Sequence, residues 1–261
     1  MTTQIHSTAI VDPRAELAEG VIVGPYAIID GDVKIGRDCE VGPYSRITGW
    51  TTIGAGNRFE SHGSIGAPPQ DLKYAGEKTF LEIGDGNTFR EFVTIHRGTP
   101  GGGGLTTIGD DGLFMAYVHI AHDCHVGSKT IFANAATLAG HVDVHDHATI
   151  GAFSAIHQFT RVGQYAFLGG FTAAAKDCLP YMNTTGNRPP KCYGPNTIGL
   201  ERKGFSPESR QALKRLWRYL RSSKMTTTDA VAKANAELAG QPEVDVVLDF
   251  METSGRGVIL S

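Results

Sequence analysis

No stretch of the 261 residues comes near the ~18 consecutive apolar residues that a membrane-spanning helix needs, and the N-terminus MTTQIHSTAI lacks the charged-then-apolar pattern of a secretory signal. A soluble, unexported protein without stable membrane insertion is therefore expected. Cysteine is sparse. Of four, Cys39 and Cys124 fall at small packing positions, while Cys178 and Cys192 lie beyond the repeats at no metal-like spacing, so a reduced cytoplasm fits best. The Gly-rich segment TPGGGGLTT (99–107) lacks the Lys-Ser/Thr ending of a phosphate-binding loop. The formal net charge is only −3, and no nucleic-acid partner is expected.

What is abundant is glycine, with 33 residues, and a periodicity of six. An aliphatic or aromatic residue recurs at Ile5, Val11, Leu17, Val23 and so on to Ile65, returns at Ile83, Phe89 and Ile95, and runs again from Ile108 to Ala174. Four positions after each stands a small residue or Val, as at Ala27, Val33, Cys39, Ser45 and Thr51. A period of six matches neither helix nor ordinary strand and predicts a hexapeptide solenoid: short parallel strands on three faces, eighteen residues to a coil, eight to nine coils in all. Gly often follows the large residue, as at Gly24, Gly42, Gly127 and Gly151, where a side chain would obstruct a corner.

The pattern places the solenoid in residues 1–185, interrupted by loops at 66–82 and 99–107, and a linker with a helical domain in 186–261. Asp71 and Glu77 occupy would-be inward sites of the first loop, so that segment must leave the coil. Past the Pro/Gly/Asn-rich TTGNRPPKCYGPN, Ser206-Pro207 is a helix start, with Leu213, Leu216, Trp217 and Leu220 as its apolar stripe. Thr228 and Pro242 open further helices, a tail suited to capping one end of the coil. Residues 201–224 carry eight basic side chains against two acidic ones, either a solvated face or a docking face for an acidic partner.

Residues eighteen apart stack on one face. Around Ile120, Leu138 and Ile156 this gathers His119 and His122, Gly140 and His141, and His157 and Gln158, so four of ten histidines share a face. Two chemistries compete for such a cluster: imidazoles converging on a metal, and one imidazole acting as a general base.

The stretches QDLKYAGE (70–77), TIHRGT (94–99), HIAHDC (119–124), TLAGHV (137–142), IHQF (156–159) and RKGFS (202–206) closely resemble the UDP-N-acetylglucosamine 3-O-acyltransferase family, whose members catalyse the first step of lipid A synthesis. The resemblance covers nearly the whole chain. It implies a left-handed coil, although parallel crossovers are usually right-handed. It implies a cytoplasmic homotrimer with active sites between subunits, and transfer of an (R)-3-hydroxyacyl chain from the phosphopantetheine of acyl carrier protein to UDP-N-acetylglucosamine, with no metal and no other cofactor.

By the same resemblance His122 is the base, Gly140 donates its backbone N–H to the oxyanion, and Asp123 orients His122. Adjacent strand residues point oppositely, so that last contact requires a bend. Gln70, Asp71 and Lys73 match sugar-nucleotide contacts that a neighbouring subunit supplies. His119, His141, His157 and Gln158 match cleft-lining residues, and Asn196, Arg202 and Lys203 match contacts to the nucleotide and carrier arm. Ile198 stands where the family often has Glu, so an acidic uridine contact does not carry over. Gly170 matches the position that sets acyl length, and a groove left open there implies a chain of about fourteen carbons, one methylene being worth roughly 1 to 3 kcal/mol.

A 3-amino UDP-sugar as acceptor fits the same base. A trimeric hexapeptide carbonic anhydrase explains the histidines but neither QDLKYAGE nor the basic tail. A non-catalytic scaffold has no use for an imidazole facing a glycine. The sister N-acyltransferase carries an extra N-terminal uridine-binding domain, for which repeats beginning at Ile5 leave no room.

Overall fold

The computed structural model describes residues 2–260, and it is a left-handed parallel β-helix followed by helices. Three sheets form the faces, with eleven, nine and eight strands among the described residues, all parallel except the last strand of the first. Most strands are two residues long, one side chain out and the next in, as in Thr137–Leu138. Pairing partners such as Ile29 and Ile47, or Ile120 and Leu138, lie one coil of eighteen residues apart.

The inward ladder is dry. Ile29, Ile47, Ile65, Ile95, Ile120 and Leu138 are fully buried on the second face. Phe59, Phe89, Phe114 and Phe132 stack on the first face with ring centroids 4.7–5.1 Å apart. Each such side chain contributes roughly 1.5–3 kcal/mol of burial, so a polar replacement breaks a coil and its two neighbours.

The corners differ in detail from the glycine pattern. Except at Gly66, the glycine after the large residue keeps an ordinary φ and is needed because the next coil is too close: a Cβ at Gly151 would sit 2.5 Å from the carbonyl oxygen of Leu168. The left-handed residue comes two positions later and is usually not glycine. Tyr26, Tyr44, His62, Phe92 and Tyr117 all take φ of 59–65°. Their rings form an exposed column at 4.9–5.1 Å spacing, and this stacking offsets the backbone cost of the conformation.

Two segments leave the coil. Trp50 pairs with Phe80, thirty residues on instead of eighteen, which expels twelve residues between Ala67 and Phe80. Phe80 pairs with Leu105, twenty-five on, which expels seven.

At the C-terminal end, Met182–Thr185 still pairs in parallel with Phe167–Leu168 and then turns back against Lys191–Pro195 as an antiparallel ribbon. Helices follow: α1 (Thr197–Arg202), α2 (Pro207–Leu220), α3 (Thr227–Glu237) and α4 (Pro242–Glu252). The ribbon and α1 lie in or beside the Pro/Gly/Asn-rich stretch, where no element was legible. The cap of α3 is Thr226, reciprocated by Asp229, rather than Thr228. Leu213, Leu216, Trp217 and Leu220 of α2 are buried against Leu179, Met182 and Cys192. The coil end itself is closed by an extended segment: Ile259 joins the solenoid core and donates its N–H to the Asp177 carbonyl, while the Gly257 carbonyl accepts from the Asp177 N–H. Cys178 belongs to that last coil, bridging to Val162, and does not lie beyond it. All four cysteines are free and buried.

Candidate active site

Successive strands of the second face, Thr94–His96, His119–Ile120, Thr137–Leu138, Ala155–Ile156 and Ala173–Ala174, carry the site. Thr94, His119, Thr137, Ala155 and Ala173 point outward in one row, and the corners that follow supply His122 with Asp123, Gly140 with His141, and Gln158 with Phe159.

The bend that a His122–Asp123 contact requires is present. Asp123 is a left-handed corner residue, φ 58°, and the conformation swings its carboxylate back under the preceding ring. Oδ2 of Asp123 lies 2.7 Å from Nδ1 of His122. A carboxylate only accepts, so Nδ1 carries the proton and Nε2 keeps its lone pair. The Asp123 side chain is 1% exposed and that of His122 14%, which puts the acceptor in a dry site and leaves the base within reach of substrate. Gly140 lies against this imidazole, and among the described residues its N–H makes no hydrogen bond within the chain.

His141 crosses His122 at 89° with centroids 5.2 Å apart, and stacks on Phe159 at 4.5 Å. Its Nε2 is 3.7 Å from the same Oδ2 of Asp123. Ligand atoms of His122, Asp123 and His141 fall within 4.8 Å of one another, the spacing of a metal site. However, both carboxylate oxygens are already engaged, by His122 and by Thr99.

His119 hydrogen-bonds Thr94 Oγ1 through Nδ1 at 2.7 Å, and its pKa is lowered to about 4 by burial first and then by His96 and His122 nearby. His96 lies edge-on to His119, and burial lowers its pKa as well. Its Nδ1 meets the carbonyl of Pro68 at 2.6 Å, tying the twelve-residue loop to the coil. His96 is not among the histidines that the eighteen-residue spacing gathers, because the expelled loops hide its register. Once their lengths are subtracted, it stands on the face of His119.

The loop itself folds over the site of its own chain. Asp71 and Lys73 line a cleft of about 330 Å³ with Tyr74, Thr99, His141 and Phe159. Arg97, buried on Trp50, donates to the Tyr74 hydroxyl at 3.1 Å and braces this loop. Gln70 is exposed and outside that cleft. Below it, a groove of about 760 Å³ runs down the same face, lined by Thr137, Ala155, His157, Ala173, Pro189 and Leu260 among others. His157 is at its wall and Gln158 is exposed beside it.

Five positions singled out in the sequence lie elsewhere on the chain. The Asn196 amide is committed to the fold, accepting from Gly199 N as the cap of α1 and donating to Tyr165 O. Arg202 and Lys203 are exposed at the end of α1, and Lys203 acts electrostatically on His147, at a different corner from His122. Ile198 is exposed on α1. Gly170 sits on an exposed corner against Ala152 and does not line the groove, whose wall at that level is Ala173. The basic face of α2 is partly spent internally: Arg210 pairs with Glu201 at 3.1 Å and Arg215 with Glu237 at 3.3 Å.

The chain is similar to known proteins over nearly its whole length. A family described as Udp N-acetylglucosamine O-acyltransferase, domain 2, matches residues 177–259. The chain is 48% identical over 256 residues to the acyl-[acyl-carrier-protein]–UDP-N-acetylglucosamine O-acyltransferase of Stenotrophomonas maltophilia (strain R551-3), covering 98% of this chain and 97% of that one. It is 49% identical to the enzyme of the same name from Alkalilimnicola ehrlichii (strain ATCC BAA-1101 / DSM 17681 / MLHE-1), covering 98% and 99% of the two chains. Among solved structures, LpxA from Acinetobacter baumannii superposes with a TM-score of 0.94 at 41% identity, over 98% of this chain and 99% of that one.

Proposed function

The chain belongs to the UDP-N-acetylglucosamine O-acyltransferase family, and from that premise we propose that it transfers an (R)-3-hydroxyacyl group from acyl carrier protein to the 3-hydroxyl of UDP-N-acetylglucosamine, opening lipid A synthesis, with His122 as general base. The observation that supports this assignment is the hydrogen bond from His122 Nδ1 to buried Asp123, which fixes the ring with Nε2 free.

The sugar hydroxyl gives its proton to Nε2 as its oxygen attacks the thioester carbonyl. The tetrahedral oxyanion that forms accepts from the Gly140 N–H. Collapse expels the phosphopantetheine sulfur, which takes the proton back from His122, so no acyl-enzyme is needed. Asp71 and Lys73 hold the sugar nucleotide from above. The apolar groove past Ala155 and Ala173 takes the acyl chain. No step calls for a metal or a bound cofactor.

We place the working site between subunits of a homotrimer. Leu72 projects fully into solvent from the substrate loop, and Arg202 and Lys203 stand at a different corner from His122 on one chain, which suits completion of each site by a neighbour. Lys214, Arg218 and Arg221, exposed around α2, suit docking of the acidic carrier protein. Among the described residues no helix is long and apolar enough to cross a membrane, and a cytoplasmic setting fits a carrier-bound donor.

The test is to incubate the purified protein with hydroxyacyl carriers and UDP-N-acetylglucosamine and read products by mass spectrometry. An O-acylated sugar nucleotide with release of free carrier is the expected product. Release of carrier without acylated sugar would contradict the assignment.

A further inference from the structure

We infer that Thr99, on the seven-residue segment expelled from the coil, is a positioning residue that holds the Asp123 carboxylate toward His122 and away from His141. The inference rests on the reading of His122 as base. Thr99 is 5% exposed. Its backbone N–H donates to Asp123 Oδ1 at 2.8 Å, and its hydroxyl donates to Oδ2 at 2.6 Å. Oδ2 is the same atom that accepts from His122.

The segment is shaped around that carboxylate. The Thr99 carbonyl accepts from the N–H groups of both Gly102 and Gly104, which closes the loop on itself. A Cβ at Gly102 would fall 2.1 Å from Asp123 Cγ, and one at Gly98 would fall 2.8 Å from Oδ1. From the other side, Thr106 Oγ1 accepts from the Asp123 N–H at 2.8 Å.

The arrangement matters because two imidazoles face one oxygen. His122 Nδ1 is 2.7 Å and His141 Nε2 3.7 Å from Oδ2, so a small rotation of the carboxylate would transfer the hydrogen bond to His141 and leave the His122 ring unrestrained. The Thr99 hydroxyl occupies a lone pair of Oδ2 and blocks that rotation. A run of glycines that reads as slack in the sequence is thus the fitted wall of the base's partner.

The experiment compares Thr99→Val, which removes the hydroxyl and keeps the N–H, with Thr99→Ser, which keeps both. Losing a hydrogen bond to a charged group predicts a kcat about 10- to 100-fold lower for the Val variant. KM for UDP-N-acetylglucosamine should stay within about twofold, and Ser should restore most of the rate. His122→Ala is measured alongside. If it keeps its turnover, the base assignment fails; if it is inactive while Thr99→Val turns over normally, only the positioning role fails. Should Thr99→Val not fold, Thr99→Ala decides, since it also removes the hydroxyl and keeps the N–H. A loss confined to kcat supports the inference, and an unchanged kcat overturns it.

Discussion

The side chain that Gly140 lacks would collide with His122: a Cβ there would lie 2.5 Å from Cε1 and 2.8 Å from Nε2 of the imidazole. The two residues are one coil apart, and the backbone N–H of Gly140 turns the same corner. The glycine therefore serves twice, by leaving room for the base and by presenting an unencumbered N–H to the reacting carbonyl.

Gly140→Ala should accordingly act on chemistry and hardly on folding, because its φ lies in the ordinary region and the methyl meets a side chain rather than the core. A kcat lower by about 10²-fold, with the thermal midpoint within a few degrees of the parent's, is the expected outcome. Steady-state kinetics paired with a melting curve checks it, and an unimpaired kcat would remove Gly140 from the mechanism.

Acyl length should respond to Ala173 more than to Gly170. Ala173 forms the groove wall, whereas Gly170 stands on an exposed corner of the same chain. Ala173→Met fills the groove with some three heavy atoms. Preference between ten- and fourteen-carbon donors should then move toward the shorter by at least about tenfold in kcat/KM, at roughly 1 to 3 kcal/mol per excess methylene. If Gly170→Met shifts the ratio and Ala173→Met does not, the groove that matters is completed by a neighbouring subunit.

Acid should loosen the fold at this face. His119 is held near pKa 4 in the folded protein against 6.5 when unconstrained. As pH falls below 6.5 the unfolded chain takes up a proton that the native state refuses until about pH 4, so stability is full above this window and declines through it. His96 acts with the same sign. Melting temperatures between pH 7 and 4.5 should fall, and His119→Asn, which can still meet Thr94, should flatten the slope. An unchanged slope would place the acid sensitivity elsewhere.

The solenoid was legible because its core has a period that no other structure shares, and Ile29, Ile120 and Leu138 are buried where that period puts them. The grouping of His119, His122, Gly140 and His141 followed from the same arithmetic. What lay beyond it was whatever breaks the period. His96 sits next to an expelled segment and Thr99 on one, both of which shift the register, and no spacing rule connects Thr99 to Asp123 across a loop. The contact between adjacent His122 and Asp123 depends on a left-handed corner, in this fold occupied by Asp, His and aromatic residues as readily as by glycine, so the usual marker was absent. The ribbon at Lys191–Pro195 was hidden by prolines that an edge strand tolerates.

The most direct test is the turnover of His122→Ala. The imidazole lies outside the aliphatic ladder, so the variant should keep the parent's melting temperature and oligomeric state. Its kcat should fall by about 10²- to 10⁴-fold, the range for loss of a general base. A folded variant with a kcat close to the parent's would contradict the account at its centre.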